Sequence, residues 1–182
     1  MSKIDSFQPG KSKFWRLRND ARMTPQPWRW PLQTFGDRPP VVLAHAIVGK
    51  HGVDLGYEAR PNDAELCVPV YAAQDGEVMF CGETTSAFSI SIDHKREGWA
   101  TYYGHLSKVC VAQNLTQINR RRQRVQGGDV IGYAARSPVH LRFALWRWTD
   151  DRGFVAVPPL QKFNEWASPL SRIAETPTKK AA

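Results

Sequence analysis

Hydrophobic and polar positions alternate in short runs along this chain, and turn residues separate the runs. Between Trp30 and Pro159, no segment strongly repeats its apolar residues with the 3.6-residue period of a helix. Runs rich in β-branched and aromatic residues, bounded by glycine, proline or aspartate, are typical of strands. Seven such runs are CVPVYAA, GEVMFCG, FSISIDH, WATYYGHL, DVIGYAA, VHLRFALWRW and GFVAV. They predict an all-β fold built as a compact antiparallel sheet.

The segments that flank these runs are more polar and contain prolines. Residues 1–28 are basic and predict an extended N-terminal arm, with one short helix around Lys13 to Asp20. We assign residues 29–165 to the β domain and residues 166–182 to a C-terminal tail. The segment LQKFNEWASPLSRIAE predicts a short amphipathic helix, and TDDRG, Thr149 to Gly153, has the composition of a hairpin turn.

Composition narrows the classes of function. With 182 residues and 42% hydrophobic residues, the chain is long enough for one domain with a real core. The net charge of +8 suits an anionic partner, but a solvated basic surface explains it more simply. The cluster NRRRQR, Asn119 to Arg124, contains no aromatic residue, so we expect a solvated loop and no specific nucleic-acid site.

No apolar run approaches the ~18 residues that span a bilayer, and the N-terminus lacks the apolar core of a signal peptide. This pattern predicts no transmembrane segment. It leaves three locations open: the cell envelope, a phage particle, or the cytoplasm before release. The three cysteines, Cys67, Cys81 and Cys110, are odd in number and widely spaced, which predicts small buried residues and no disulfide framework.

Seven blocks of the sequence carry a resemblance. In chain order they are WPLQTFGDR, KHGVDLGY, PVYAAQDGEV, ISIDH, YYGHL, GGDVIGYA and HLRF. Their order and spacing resemble the lysostaphin-like (LytM-type) zinc metallopeptidases, which cut peptide cross-links in bacterial peptidoglycan. The resemblance implies a compact antiparallel sheet whose inner face forms a narrow groove, and peptidoglycan as the class of ligand.

The first family motif is His-x-Gly-x-Asp, whose His and Asp bind zinc. Alignment on the Gly and the Asp makes Asp54 the retained ligand and places Lys50 at the first ligand position. His51 falls one position out of register. Residues four apart in a strand share a face, whereas His51 and Asp54 are three apart and face opposite sides of a regular strand.

The second family motif is His-x-His, and here it reads HLRF. His140 matches the first histidine, to which the resemblance gives a catalytic role, and Arg142 replaces the third zinc ligand. The other family histidine is matched by His105 in YYGHL, also with an implied catalytic role. His94 falls where family members often carry a structural histidine at the end of a strand.

Two of the three ligand positions are therefore cations. A catalytic zinc ion needs three protein ligands, and protonated Lys or Arg offers no lone pair. We accordingly expect no metal cofactor, and zinc only if the protein is an active enzyme. An alternative is a β-bulge at Gly52 that turns His51 inward, so that His51, Asp54, His105 and His140 form a displaced site.

Arg142 has a second predicted role. A guanidinium that reaches in from the third ligand position can donate two parallel hydrogen bonds to Asp54. The sequence therefore predicts an ion pair that replaces the metal electrostatically, with Lys50 as an additional cation. We also expect an aromatic wall from Tyr102 and Tyr103 beside His105.

Other candidate residues favour structural interpretations. His45, in VVLAHAIVG, is interpreted as a packed or loop histidine. Trp146 and Trp148 alternate in one strand and predict packing in the core or at its rim, although an exposed pair would stack on sugar rings.

The sequence thus predicts a catalytically degenerate lysostaphin-like domain. As a binding, regulatory or structural module directed to peptidoglycan or the cell envelope, it would hold peptidoglycan or a protein partner in its groove. A phage particle or a secretion apparatus is a further setting for such a part. The alternative is an active zinc endopeptidase that cleaves peptidoglycan cross-links, with His105 and His140 handling protons.

Overall fold

The computed structural model describes residues 27–46, 52–58, 60, 67–84, 87–95, 98–113, 123–134, 140–163 and 165–166. Within these ranges the chain forms ten strands and one short helix. In chain order the elements are β1 (Val41–Ala46), β2 (Gly52–Gly56), β3 (Val68–Tyr71), β4 (Gly76–Glu83), β5 (Phe88–His94), β6 (Trp99–Val109), β7 (Arg124–Val125), β8 (Val130–Ala134), β9 (His140–Thr149), β10 (Gly153–Val157) and α1 (Pro159–Phe163).

The strands form one sheet in which every described pairing is antiparallel. The main strand order is β1-β2-β9-β6-β5-β4-β7, with β10 on β9, and β8 joining β3 to β6. The all-β antiparallel fold predicted from the hydrophobic pattern is therefore confirmed. Strand β9 lies at the centre and pairs with β2, β6 and β10, so it brings distant parts of the sequence into one region.

Each of the seven β-rich runs forms a strand, and the TDDRG segment makes the β9–β10 turn as predicted. The hydrophobic pattern did not predict β1, β2 or the two-residue β7, and only the family motif implied a strand at β2. Strand β1 lies in VVLAHAIVG, where apolar residues follow one another without alternation, so a period of two was not visible. His45 pairs with Val53 in this strand, so the loop interpretation of His45 is wrong; its side chain lies outside the description.

The core lies on one face of the central strands. Along β9, Leu141, Phe143 and Leu145 are almost completely buried, while His140 and Arg142 between them are half-buried. This alternation with period two assigns Leu141, Phe143 and Leu145 to the core face, and His140, Arg142 and the other even-numbered positions of β9 to the opposite face. We call that opposite face, which carries Arg142, the site face.

Aromatic residues from both ends of the described chain cover the core. Trp28 stacks on Trp166, with ring centroids 4.9 Å apart, and Trp30 stacks on Phe163 at 4.4 Å. Trp28 was assigned to the N-terminal arm and Trp166 to the tail, but both pack on the domain. The predicted helix around residues 13–20 lies outside the described residues. Of the predicted C-terminal helix, residues 160–163 lie in α1, and residues 167–175 lie outside the described residues.

Two of the three cysteine predictions are wrong. Cys81 is buried in the core, whereas Cys67 and Cys110 are exposed, and all three thiols are free. Cys67 immediately precedes β3 and Cys110 immediately follows β6, so both lie at the ends of strands, where the chain leaves the core. In the described part of the chain, no helix is both long and apolar enough to cross a membrane.

Candidate functional site

The pairing of β2 with β9 sets the centre of the site. Asp54 lies directly opposite Arg142 in this ladder, and Gly56 lies opposite His140. Arg142 donates from Nε to Asp54 Oδ1 at 3.0 Å and from Nη2 to Asp54 Oδ2 at 3.2 Å. The predicted ion pair between these two residues is therefore present, with the two-pronged geometry that a guanidinium and a carboxylate favour.

This ion pair is partly shielded from water. The Asp54 side chain is 14% exposed and the Arg142 side chain 32%. The hydrogen bond to Asp54 is the main factor that raises the pKa of Arg142 above its ordinary value, while burial acts against it. The guanidinium and the carboxylate therefore form an ion pair in which each offsets the charge of the other.

His105 reaches the site through an irregular backbone in β6. Tyr103 and Leu106 are both fully buried, although positions three apart face opposite sides of a regular strand. His105, between them, has a φ of 62°, the left-handed conformation that residues other than glycine rarely adopt. The β5 and β8 ladders shift register at this part of β6. This bulge keeps Leu106 in the core and sends His105 to the site.

His105 and His140 meet edge to face. Their ring centroids are 4.5 Å apart at an interplanar angle of 81°, and His105 Nδ1 forms a short hydrogen bond with His140 Nε2. Burial lowers the pKa of His105, and the nearby Arg142 and His140 lower it further. His105 is therefore a neutral imidazole at neutral pH.

The same face carries an aromatic residue next to the ion pair. The Tyr102 hydroxyl hydrogen-bonds Ser89 Oγ at 2.9 Å, and its ring packs edge to face on Trp146 with centroids 5.9 Å apart. A Cβ at Gly104 would lie 2.7 Å from the Tyr102 ring, so the ring needs a glycine there. Tyr103 was predicted to share this aromatic wall, but it lies in the core against Phe143, since it has the opposite strand parity to Tyr102.

Trp146 and Trp148 are half-buried, but they lie on the face opposite the core. Trp148 packs edge to face on Phe154 in the neighbouring strand β10, with centroids 5.3 Å apart. Both tryptophans occupy even-numbered positions of β9 and so share the site face with Arg142.

His94 belongs to a separate, fully buried network. It is the last residue of β5, as the resemblance implied. Its Nδ1 lies 2.9 Å from the carbonyl oxygen of Asp75, and its Nε2 lies 2.7 Å from Thr101 Oγ1. A carbonyl can only accept, so Nδ1 carries the proton and Nε2 accepts from the threonine hydroxyl. Burial lowers the pKa of His94 to about 4, which keeps the ring neutral.

The site contains residue types that bind zinc, but their ligand atoms are engaged in other bonds. One potential ligand atom from each of Asp54, His105 and His140 lies within 4.8 Å of the others. However, both oxygens of Asp54 accept hydrogen bonds from Arg142, and the two imidazoles bond to each other. A dication at Asp54 would meet the Arg142 guanidinium at the same carboxylate. In this arrangement the described residues do not fit a zinc ion.

Two residues of the first motif, Lys50 and His51, lie outside the described residues. Their predicted roles, as a cation at a ligand position and as an out-of-register ligand, therefore remain predictions. Gly52 pairs regularly with Ala46, and β2 keeps an unbroken register with β9. The bulge proposed at Gly52 is absent from the described part of β2; the irregularity that serves the site lies in β6 instead.

The family follows from a comparison of sequences. The model of peptidase family M23 matches residues 49–153, more than half of the chain, and the chain belongs to this family. The match contains Asp54, His105, His140 and Arg142. No curated protein sequence matches the chain.

Solved structures share the fold. A chain in the crystal structure of a SpoIIIAH and SpoIIQ complex is 19% identical, with a TM-score of 0.51, and the match covers 74% of this chain and 98% of that one. The catalytic domain of the antimicrobial peptidase lysostaphin from Staphylococcus simulans is 18% identical, with a TM-score of 0.46 and coverage of 74% and 90%. At these identities the likeness concerns the fold alone.

Three features of the site were not predicted from the sequence: the left-handed conformation of His105, the contact of Tyr102 with Ser89, and the close approach of Tyr102 to Gly104. The sequence did contain one signal for the irregular backbone at His105. Tyr103 and Leu106 are both apolar at an odd separation, which breaks the alternation within YYGHL and indicates a bulge. The other two depend on which side chains face each other across β5 and β6, and no sequence signal reports that pairing.

Proposed function

We propose that this protein is a metal-free M23 domain that binds a peptide on its site face without cleaving it, as a module directed to peptidoglycan or the cell envelope. The observation that carries the proposal is the pair of hydrogen bonds from Arg142 to Asp54. Asp54 is the zinc ligand that the family motif retains, and here its carboxylate is bound by a cation of the protein itself.

The Asp54 carboxylate requires a counter-charge. A half-buried carboxylate without a counter-charge is costly, because burial removes its hydration. In a zinc peptidase the metal ion supplies the counter-charge, and here the guanidinium supplies it. Arg142 has no lone pair to offer a metal, so the same substitution removes a ligand and stabilises the metal-free state.

Binding without cleavage is supported by the polar side chains that remain. His105, His140, Tyr102 and Ser89 offer hydrogen-bonding groups near the ion pair, and Trp146 extends the face with an aromatic surface. One structure of similar fold is a chain crystallised in a complex of two proteins, SpoIIIAH and SpoIIQ. That example is consistent with a domain of this fold serving as a binding partner.

An active zinc endopeptidase is the second candidate. The grouping of Asp54, His105 and His140 within 4.8 Å favours it, since these residue types bind zinc. In that function Arg142 has to release Asp54, and His105 and His140 have to break their mutual hydrogen bond to face the ion.

Metal analysis of protein purified without a histidine tag separates the two functions. We expect far less than one zinc per chain after incubation with zinc and gel filtration, and no cleavage of purified peptidoglycan. The double variant Lys50→His with Arg142→His restores the family ligand set and is expected to bind about one zinc. Arg142→His alone is expected to stay metal-free, because Lys50 still occupies the first ligand position.

The opposite result is equally clear. About one zinc per unmodified chain, together with cleavage that a chelator abolishes, would show that the protein is an enzyme. Zinc retention by Arg142→His alone would show that Lys50 does not block the site.

A further inference from the structure

Arg142 uses only one edge of its guanidinium on Asp54. A guanidinium carries five N–H groups, and the two bonds to Asp54 occupy the Nε hydrogen and one Nη2 hydrogen. No residue in the described part of the chain accepts a hydrogen bond from Nη1. Three N–H groups therefore remain, two on Nη1 and one on Nη2, and 32% of the side chain is exposed.

We call the guanidinium edge formed by Nη1 and the second Nη2 hydrogen the outer edge of Arg142, and the edge that bonds to Asp54 the inner edge. Asp54 holds the outer edge in a fixed orientation. The carboxylate accepts two hydrogen bonds from the inner edge, so the guanidinium plane cannot turn without breaking both of them. Asp54 is itself fixed in the β2–β9 ladder opposite Arg142. A ligand that binds the outer edge thus meets donors whose geometry is already set, which reduces the entropy lost on binding.

The surroundings add an aromatic wall and a further polar group. Gly104 lies opposite Arg142 in the β6–β9 ladder, and the Tyr102 ring lies over this glycine. His105, neutral and half-buried, bonds to His140 through Nδ1, and no described residue forms a hydrogen bond with its Nε2. The net charge of +8 favours an anionic ligand at long range.

We infer that the outer edge of Arg142 binds a carboxylate group of the peptide that the site face holds. This inference rests on the proposed function and specifies its ligand chemistry. A carboxylate matches the two parallel N–H groups of a guanidinium edge, whereas a neutral amide offers one uncharged oxygen. Asp54 acts as a positioning residue, and its charge weakens the attraction without removing the hydrogen-bond donors.

The first test compares two probes on the full-length wild-type protein. Acetyl-Gly-Gly-Ala with a free carboxylate and the same tripeptide as its C-terminal amide are titrated by calorimetry. Because hydrogen bonds to charged groups are the stronger kind, we expect the acid to bind about tenfold more tightly than the amide or better. Equal affinities, or no binding of either peptide, would overturn the inference.

The second test uses variants of the ion pair. Arg142→Gln alone leaves Asp54 unpaired to repel an acid, so the double variant Asp54→Asn with Arg142→Gln is decisive. It is expected to bind acid and amide equally. The control is Arg152→Gln, which removes the same charge from an exposed residue of the β9–β10 turn and is expected to keep the preference. A preference that survives in the double variant would overturn the inference.

The variant Asp54→Asn distinguishes a carboxylate site from a metal site, because loss of the Asp54 charge would weaken the binding of a metal ion. The Asn carbonyl oxygen still accepts one hydrogen bond that orients Arg142, whereas the competing negative charge is gone, so the affinity for the acid is expected to rise several-fold. A lower affinity would contradict the carboxylate site. Zinc retention and peptide cleavage by the wild type would overturn the proposed function instead, so the two failures are distinguishable.

Discussion

Asp54 and Arg142 face each other across the β2–β9 ladder, although 88 residues separate them in the sequence, and two hydrogen bonds join their side chains. The sequence motifs predict that the carboxylate stands at a retained metal-ligand position of the M23 family and that the guanidinium stands at a replaced one. Both carboxylate oxygens of Asp54 thus accept hydrogen bonds from a cation of the protein itself. Four predictions test what this arrangement and its surroundings contribute.

Arg142→Ala is expected to lower the free energy of unfolding by about 1–2 kcal/mol, measured by urea denaturation. The value lies between those of exposed and fully buried ion pairs, because Asp54 is mostly buried and Arg142 is one-third exposed. Arg152→Ala is the control, and removal of its solvent-exposed pair with Asp151 should change the free energy of unfolding much less than Arg142→Ala. A loss no larger than that of the control would show that the Asp54 ion pair adds nothing to stability.

Replacing the two site histidines by glycine and by alanine should give opposite orders of stability. At His105, with φ of 62°, glycine should be more stable than alanine by about 1 kcal/mol, since glycine adopts the left-handed conformation freely. His140 begins a regular part of β9, so there glycine should be less stable than alanine by about 0.5–1 kcal/mol. The same order at both positions would show that the bulge at His105 is not strained.

Gly104→Ala should destabilise the fold by about 1–3 kcal/mol, because the new Cβ would lie 2.7 Å from the Tyr102 ring. The ring would have to move, and its hydrogen bond to Ser89 would break. In a Tyr102→Ala background the same change should cost much less. Additive effects in this double-mutant cycle would mean that the Tyr102 ring does not need the space at Gly104.

Stability should fall as the pH drops from about 6.5 towards 4. The pKa of His94 is about 4 in the folded protein and near its ordinary 6.5 when unfolded, so the unfolded chain binds the additional proton in this window. Protonation of the unfolded chain therefore removes up to about 3 kcal/mol, and the loss levels off below pH 4.

His94→Gln should flatten this pH dependence, as followed by denaturation between pH 4 and 7.5. The lowered pKa of His105 acts in the same direction, so a smaller slope remains in the variant. An unchanged slope in His94→Gln would assign the effect to other groups.

The sequence alone determined the class of fold and the identities of the site residues. Alternation with period two and frequent turn residues predict an antiparallel sheet, since each strand buries one face and exposes the other. The spacing of the motif blocks placed Asp54, His105, His140 and Arg142 in one site. Because guanidinium and carboxylate groups pair in a known geometry, the sequence also predicted the Asp54–Arg142 contact.

Only the tertiary structure decided how those residues are oriented. The bulge at His105 depends on β6 pairing with β5, β8 and β9 at once, and the chain tolerates an unfavourable φ because Tyr103 and Leu106 both gain burial. Tertiary pairing also decided three other features: the exposure of Cys67 and Cys110, the strand at His45, and the fit of Tyr102 against Gly104. Each depends on which segments become neighbours in space, and the pattern within a single segment carries no information about that.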